Sequence, residues 1–176
     1  MTSIQRTCAV VVLCLAVGTS AFAQHVRTAW DRSADFATLH TYAWQASPQP
    51  AKGDWNQAII DAIDKQLQAK GLTRVDADPD VAVVYSRSIA KQSTSGLAGG
   101  YIIPPNGDNG GPGIPAIARS WEEGTLVVEL GNPKTKQVLW RGSISKTLSD
   151  NNNKNLKNLD KAVAKLFKEY PPKGKE

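Results

Sequence analysis

The sequence predicts an α+β domain in two layers, a mostly antiparallel sheet with two helices packed on one face. Three observations predict it. Apolar residues recur at helical spacing in two separate stretches, residues 55–67 and 156–170. The strand-like stretches are grouped together rather than alternating with further helices. A run of turn formers, Gly131 to Lys136, joins two stretches of strand composition and marks a hairpin.

The first element stands apart from that domain. Arg6, the apolar run Ala9 to Val17 and the small-x-small triplet Ala21-Phe22-Ala23 form the pattern of an export signal, residues 1–23, cut after Ala23. The apolar run is shorter than the roughly 20 residues that a membrane-spanning helix needs. The mature chain is expected to start at Gln24, outside the cytoplasm, with no transmembrane helix. Both cysteines, Cys8 and Cys14, fall in the leader, so the mature domain has no thiol, disulfide or Cys-based metal site. A lipid-bearing cysteine wants a small residue before it, and Leu13 precedes Cys14. A soluble periplasmic or secreted product is therefore favoured over a lipid-anchored one at the outer membrane. About 150 residues remain, enough for a single domain with its own core. The formal charge of +5 falls to +4 without Arg6, a mildly basic balance that favours acidic partners.

Val26 to Trp30 reads as a short strand. Thr38 to Trp44 reads as a second, rich in β-branched and aromatic residues, and Ser47-Pro48-Gln49-Pro50 ends it. Asp54 opens the first helix, with Gln57 three residues on in the manner of a capping box. Trp55, Ile59, Ile63 and Leu67 form its apolar face, Lys70 suits the last turn, and Gly71 supplies the left-handed stop. Asp76 to Pro79 is a turn. Val81 to Ile89 is a strand whose Val-Ala-Val-Val start is apolar on both faces, as in a central strand. Residues 91–118 hold most of the mature glycines, with Pro104, Pro105, Pro112 and Pro115. That composition buries too little apolar surface to offset its ordering entropy, and it predicts a long mobile loop with Tyr101-Ile102-Ile103 as a short strand inside it. Gly124 to Leu130 and Gln137 to Ser145 are the arms of the hairpin. Asp150 to Asn153 breaks the chain. A final helix runs from Asn155 to Glu169 on Leu156, Leu159, Val163, Leu166 and Tyr170, until Pro171-Pro172 prevents continuation. The domain thus spans residues 24–172, and residues 173–176 are a tail.

Four segments carry a resemblance. They are Asp35-Phe36 leading to Thr41-Tyr42-Ala43-Trp44; Leu67-Gln68-Ala69-Lys70-Gly71-Leu72 followed by Asp78-Pro79-Asp80-Val81; Glu123-Gly124-Thr125-Leu126; and Val138-Leu139-Trp140-Arg141-Gly142. In this order and spacing the chain resembles the bacterial exported proteins of domain-of-unknown-function family 4136, over nearly all of its mature length. The resemblance implies a periplasmic or outer-membrane, lipoprotein-like protein of a Gram-negative envelope, with no defining biochemical activity. Two departures matter. A lipobox is missing, and Gly131-Asn132 stands where similar proteins carry an aspartate before the hairpin turn, which removes an acidic group from that place.

Several residues are candidates for function. Trp140 and Gly142 share one face of a strand and Arg141 points to the other. Arg141 suits an anion. Alternatively Trp140 fills the core, Gly142 admits a close neighbour and Arg141 pairs with an acid. Thr41, Tyr42 and Trp44 offer a glycan-stacking surface or a core face under a helix. Lys154, Lys157, Lys161, Lys165 and Lys168 step by three and four along the last helix, offset by two residues from its apolar set, so they lie opposite the buried face. Such a stripe suits anionic lipid headgroups or lipopolysaccharide phosphates, or is an ordinary solvated surface. His25 and His40 lack further ligands at metal-binding spacing, and Asp76, Asp78 and Asp80 lack the glycine and distal glutamate of a calcium loop. Neither a nucleophile elbow nor a phosphate loop is visible. The expectation is a non-enzymatic binding or scaffolding domain without cofactor or metal. Its partner would be an envelope protein or an anionic envelope lipid; the compartment argues against nucleic acid. The alternative is a hydrolase acting on envelope glycans or peptides, which would need paired carboxylates drawn from Asp35, Asp80, Glu122 and Glu123.

Overall fold

The structure, a computed structural model, describes residues 25–48, 50–97 and 116–172. Six strands make one sheet: β1 (His25–Trp30), β2 (Thr41–Trp44), β3 (Thr73–Arg74), β4 (Val81–Leu97), β5 (Ala116–Gly131) and β6 (Val138–Thr147), in the spatial order β1-β6-β5-β4-β2-β3. Two helices, α1 (Asp54–Ala69) and α2 (Asn152–Leu166), cover one face. The class is α+β, and the sheet is mixed. β1, β6, β5 and β4 pair antiparallel in sequence, while β2 runs parallel to both β3 and β4. α1 is the cause: a strand followed by a helical crossover returns in the same direction.

One apolar cluster joins the layers. Tyr42, Val83, Tyr85, Val128, Leu130, Trp140 and Ile144 from the strands meet Ile59, Ile63, Leu67, Leu159, Val163 and Leu166 from the helices. The period-2 alternation of the strands sends the intervening residues to the opposite face. That face carries Arg27, Glu129, Arg141 and Ser143, with Thr125 and Ser145 hydroxyls 2.8 Å apart.

The helix stop at Gly71 has the form expected. Gly71 sits at φ +88°, Leu72 N–H reaches Leu67 C=O at 3.0 Å, and Gly71 N–H reaches Gln68 C=O at 2.9 Å, the Schellman pattern. Other boundaries differ from expectation. Residues 38–40 are not strand: Phe36–Thr38 is a 3₁₀ turn begun by Asp35, whose carboxylate accepts from Ala37 N–H at 3.0 Å. Asp54 is not the N-cap. Gly53 takes that place at φ 59° with no side-chain cap, and Gln57 donates to Asp61 at 2.7 Å instead of closing a box. α2 starts at Asn152, three residues early, because Asn151 Oδ1 accepts from Lys154 N–H at 3.0 Å. Its last turn tightens to 3₁₀ at Phe167–Glu169.

The largest correction concerns the predicted loop. β4 continues to Leu97 and β5 begins at Ala116, so residues 91–97 and 116–118 are paired strand. Mutual ladder bonds satisfy backbone that composition alone assigns to a loop. Residues 98–115, with Tyr101-Ile102-Ile103, lie outside the described residues, as do the leader and residues 173–176. No helix among the described residues is long and apolar enough to cross a membrane.

Candidate functional site

The sheet outruns the helices at one end, and a slot opens there. Ile59 and Trp55 of α1, Leu159 and Ala162 of α2, Leu126 of β5 and Ile144 of β6 form its apolar wall. It is narrow, with a volume of about 60 Å³. Two cations line it, Arg87 from β4 and Lys146 from β6. Arg87 lies over the Trp55 ring at 4.4 Å, a cation–π contact that covers the indole face. Partial burial holds its guanidinium below the usual arginine value.

Lys146 extends the inward series Trp140, Gly142, Ile144, so its stem leaves the sheet on the helix side. Burial, and then the nearby ammonium groups of Lys161 and Lys154, push its pKa down. Among the described residues no carboxylate lies within ion-pairing distance of these three lysines. Lys146 therefore lines the apolar slot with Lys154 and Lys161 as charged neighbours and, among the described residues, without an ion-pair partner.

The residues singled out from the sequence are not all brought together. Lys154, Lys157, Lys161, Lys165 and Lys168 are exposed along α2, away from its buried stripe. Arg141 is exposed on the uncovered face of the sheet, the side opposite α2, and pairs with Glu129 at 3.1 Å. Trp140 is wholly inside the core, with the rings of Phe167 and Tyr170 each 5.4 Å away and its Nε1 without a partner among the described residues. Tyr42 is buried as well. Its hydroxyl and Trp44 Nε1 each donate to Asp64 of α1 at 2.8 Å, and Arg74 pairs with the same carboxylate at 3.1 Å. Burial first, and then Asp64, push the Tyr42 hydroxyl far above the ordinary tyrosine value.

The four acids considered for hydrolysis are spread over different tasks. Asp80 accepts at 2.9 Å from His40 N–H, Thr41 N–H and the Thr41 hydroxyl. Those bonds hold its pKa below the usual carboxylate range. Asp35 begins the 3₁₀ turn. Glu122 and Glu123 are consecutive on β5 and face opposite sides of the sheet. No group of three or more His, Cys, Asp or Glu suited to a metal occurs among the described residues.

The model of the family described as Domain of unknown function (DUF4136) matches residues 26–172. The chain belongs to this family. The DUF4136 domain is similar in fold to a PDZ domain protein from Parabacteroides distasonis, with a TM-score of 0.53 and 15% identity over 85% of this chain and 36% of that one. It thus spans about a third of that protein's length. A PelC dodecamer from Paraburkholderia phytofirmans aligns with a TM-score of 0.50 and 11% identity over 82% of this chain and 95% of that one. At these identities the likeness is one of fold alone. Among curated proteins none matches.

In this DUF4136 domain the slot and its two cations are what sequence reasoning missed. The signal was a matter of phase. Arg87 continues the inward alternation of Val81, Val83 and Tyr85, and Lys146 continues that of Trp140, Gly142 and Ile144. A charge in phase with a core stripe marks where the sheet runs out from under its cover.

Proposed function

We propose that this DUF4136 domain is exported to the bacterial cell envelope and acts there by binding an anionic envelope component rather than by catalysis. The leader pattern of residues 1–23 supports export. The place of Lys146 in the wall of an apolar slot, beside the lysines of α2 and with no ion-pair partner among the described residues, is the observation that carries the binding reading. Like charges brought together at a partly desolvated place cost stability, and an incoming phosphate or carboxylate relieves that cost.

The test uses the full chain produced in a Gram-negative host. Its intact mass should lack the first 23 residues, osmotic shock should release it, and it should bind purified lipopolysaccharide with strong salt dependence. Each cation near an anionic surface is worth about 1 kcal/mol. The triple variant Lys146→Gln, Lys154→Gln, Lys161→Gln should therefore bind on the order of a hundredfold more weakly, with its circular dichroism unchanged. A cytosolic product that keeps Met1 overturns the export reading. Equal binding by the triple variant overturns the anion reading.

A further inference from the structure

We infer that the ligand is an anionic amphiphile with a single alkyl chain, the chain lying in the slot between α1, α2 and the sheet and the head meeting Lys146, Lys154 and Lys161. This rests on the anion-binding reading above and adds the chemical class of what is bound.

Two features that are unrelated in the sequence meet at one place. The first is the slot itself. Ile59, Leu126, Ile144, Leu159 and Ala162, all buried, form the apolar wall of this narrow slot, which is open at its mouth. Wall atoms that lack a close partner forfeit contact energy, and an alkyl chain entering the slot supplies it. Its narrowness suits a chain of methylenes more than a fused ring or a sugar. A sugar would also bring hydroxyls that an apolar wall leaves unpaired. The second feature is the charge at Lys146. Arg87 is already engaged over Trp55. Lys146 lines the same slot and has Lys154 and Lys161 as its charged neighbours. A bare phosphate would answer the charge and leave the slot empty, whereas an uncharged detergent would do the reverse. An anionic amphiphile answers both at once.

The protein released by osmotic shock should be titrated by calorimetry with dodecyl phosphate and octyl phosphate, both held as monomers, and with inorganic phosphate and dodecyl maltoside. Between octyl and dodecyl phosphate the affinity should rise about fourfold per added methylene. Dodecyl maltoside should bind at least about tenfold more weakly than dodecyl phosphate, since it lacks the charge that each lysine engages. The Ala162→Leu substitution, which fills the slot, should flatten the chain-length dependence. Methyl shifts of Ile59 and Ile144 on adding dodecyl phosphate to the unaltered protein provide a readout that does not depend on how that variant folds. Affinity independent of chain length, or binding to phosphatidylglycerol vesicles without any response to monomeric dodecyl phosphate, overturns the slot and leaves the anion reading standing. Equal affinity for dodecyl maltoside and dodecyl phosphate overturns the anion reading, and binding of none of the probes overturns both.

Discussion

Replacing Gly142 with alanine places a methyl group where the core has no space for it. A Cβ built on Gly142 stands 2.4 Å from Trp140 Cη2, 2.9 Å from its Cζ2 and 2.7 Å from Leu166 Cδ1. Real Cβ atoms essentially never approach a heavy atom within 3.0 Å, so something must move. Neither neighbour moves easily. Trp140 is fully buried against Phe167 and Tyr170, and Leu166 is fully buried on the inner face of α2. Overpacking of a core costs about 1–3 kcal/mol, and two fixed neighbours put this case near about 3 kcal/mol. For a chain of this length each kcal/mol is worth roughly 2–4 °C, so Gly142→Ala should lower Tm by roughly 6–12 °C. Thermal and urea unfolding followed by circular dichroism measure it. A double-mutant cycle with Trp140→Phe identifies the cause. The smaller ring removes the six-membered part of the indole that crowds Gly142, and with it the unpartnered Nε1. The cost of Gly142→Ala should fall by at least about 1 kcal/mol in the Trp140→Phe background. An alanine cost that is the same in both backgrounds, or absent in both, refutes the reasoning.

Two further outcomes concern pH. Asp80→Ala should lower Tm near neutral pH, because His40 N–H and Thr41 N–H lose their acceptor. The hydrogen bonds hold the Asp80 carboxyl low, so the stabilisation is present above its unfolded value and lost as pH falls through the folded one. The gap between variant and parent in a plot of Tm against pH should therefore close in strong acid, and a constant gap refutes it. Burial pushes the Tyr170 hydroxyl up from 10.0 to about 12, so the protein should lose up to about 3 kcal/mol as pH rises through that interval. The Tyr170→Phe variant should lose measurably less in alkaline urea titrations, and an identical loss refutes the assignment.

The elements legible in the sequence are those whose signal is local. The face Trp55, Ile59, Ile63, Leu67 and the stop at Gly71 are written within one turn of each other, and the structure has both. The hairpin is equally local. Asn132, which stands where an aspartate is usual in the family resemblance, accepts from Lys134 N–H at 2.9 Å and Thr135 N–H at 3.0 Å and so forms the turn without an acid. The errors fall where a partner distant in sequence decides. The Ser- and Gly-containing stretch after Ile89 reads as loop by composition, yet β5 supplies its ladder from Ala90↔Glu123 to Leu97↔Ala116. The parallel pairing of β2 with β4 is likewise invisible to periodicity, although strand, helix, strand in succession is the order that produces it. At α2 the first turn is Asn152, Asn153 and Lys154, which carries no apolar beat, so only the cap at Asn151 marks the start. The lysine stripe was legible for the same local reason. That the charges of two of its members act on Lys146 across the helix–sheet boundary was not.

That interaction carries a consequence opposite in sign to most core substitutions. Lys146 occupies the inward phase of β6, partly desolvated, with the charges of Lys161 and Lys154 nearby. Its lowered pKa means that folding disfavours the ammonium form. The fold therefore gains stability as pH rises through the folded value, the reverse of a lysine that has found a carboxylate. A methionine there keeps the stem and its contacts with the slot and removes the charge. Lys146→Met should accordingly stabilise the unliganded protein, by about 0.5 kcal/mol, which corresponds to roughly 1–2 °C in Tm. The same change should weaken binding of dodecyl phosphate several-fold. The two effects separate the possible roles of this residue. A lysine present only for solubility would lose nothing in binding on substitution, and a lysine present to brace the fold would lower Tm when replaced. Only a charge held in place for an anion gives a more stable protein that binds less well. A Lys146→Met variant with a lower Tm than its parent defeats this argument.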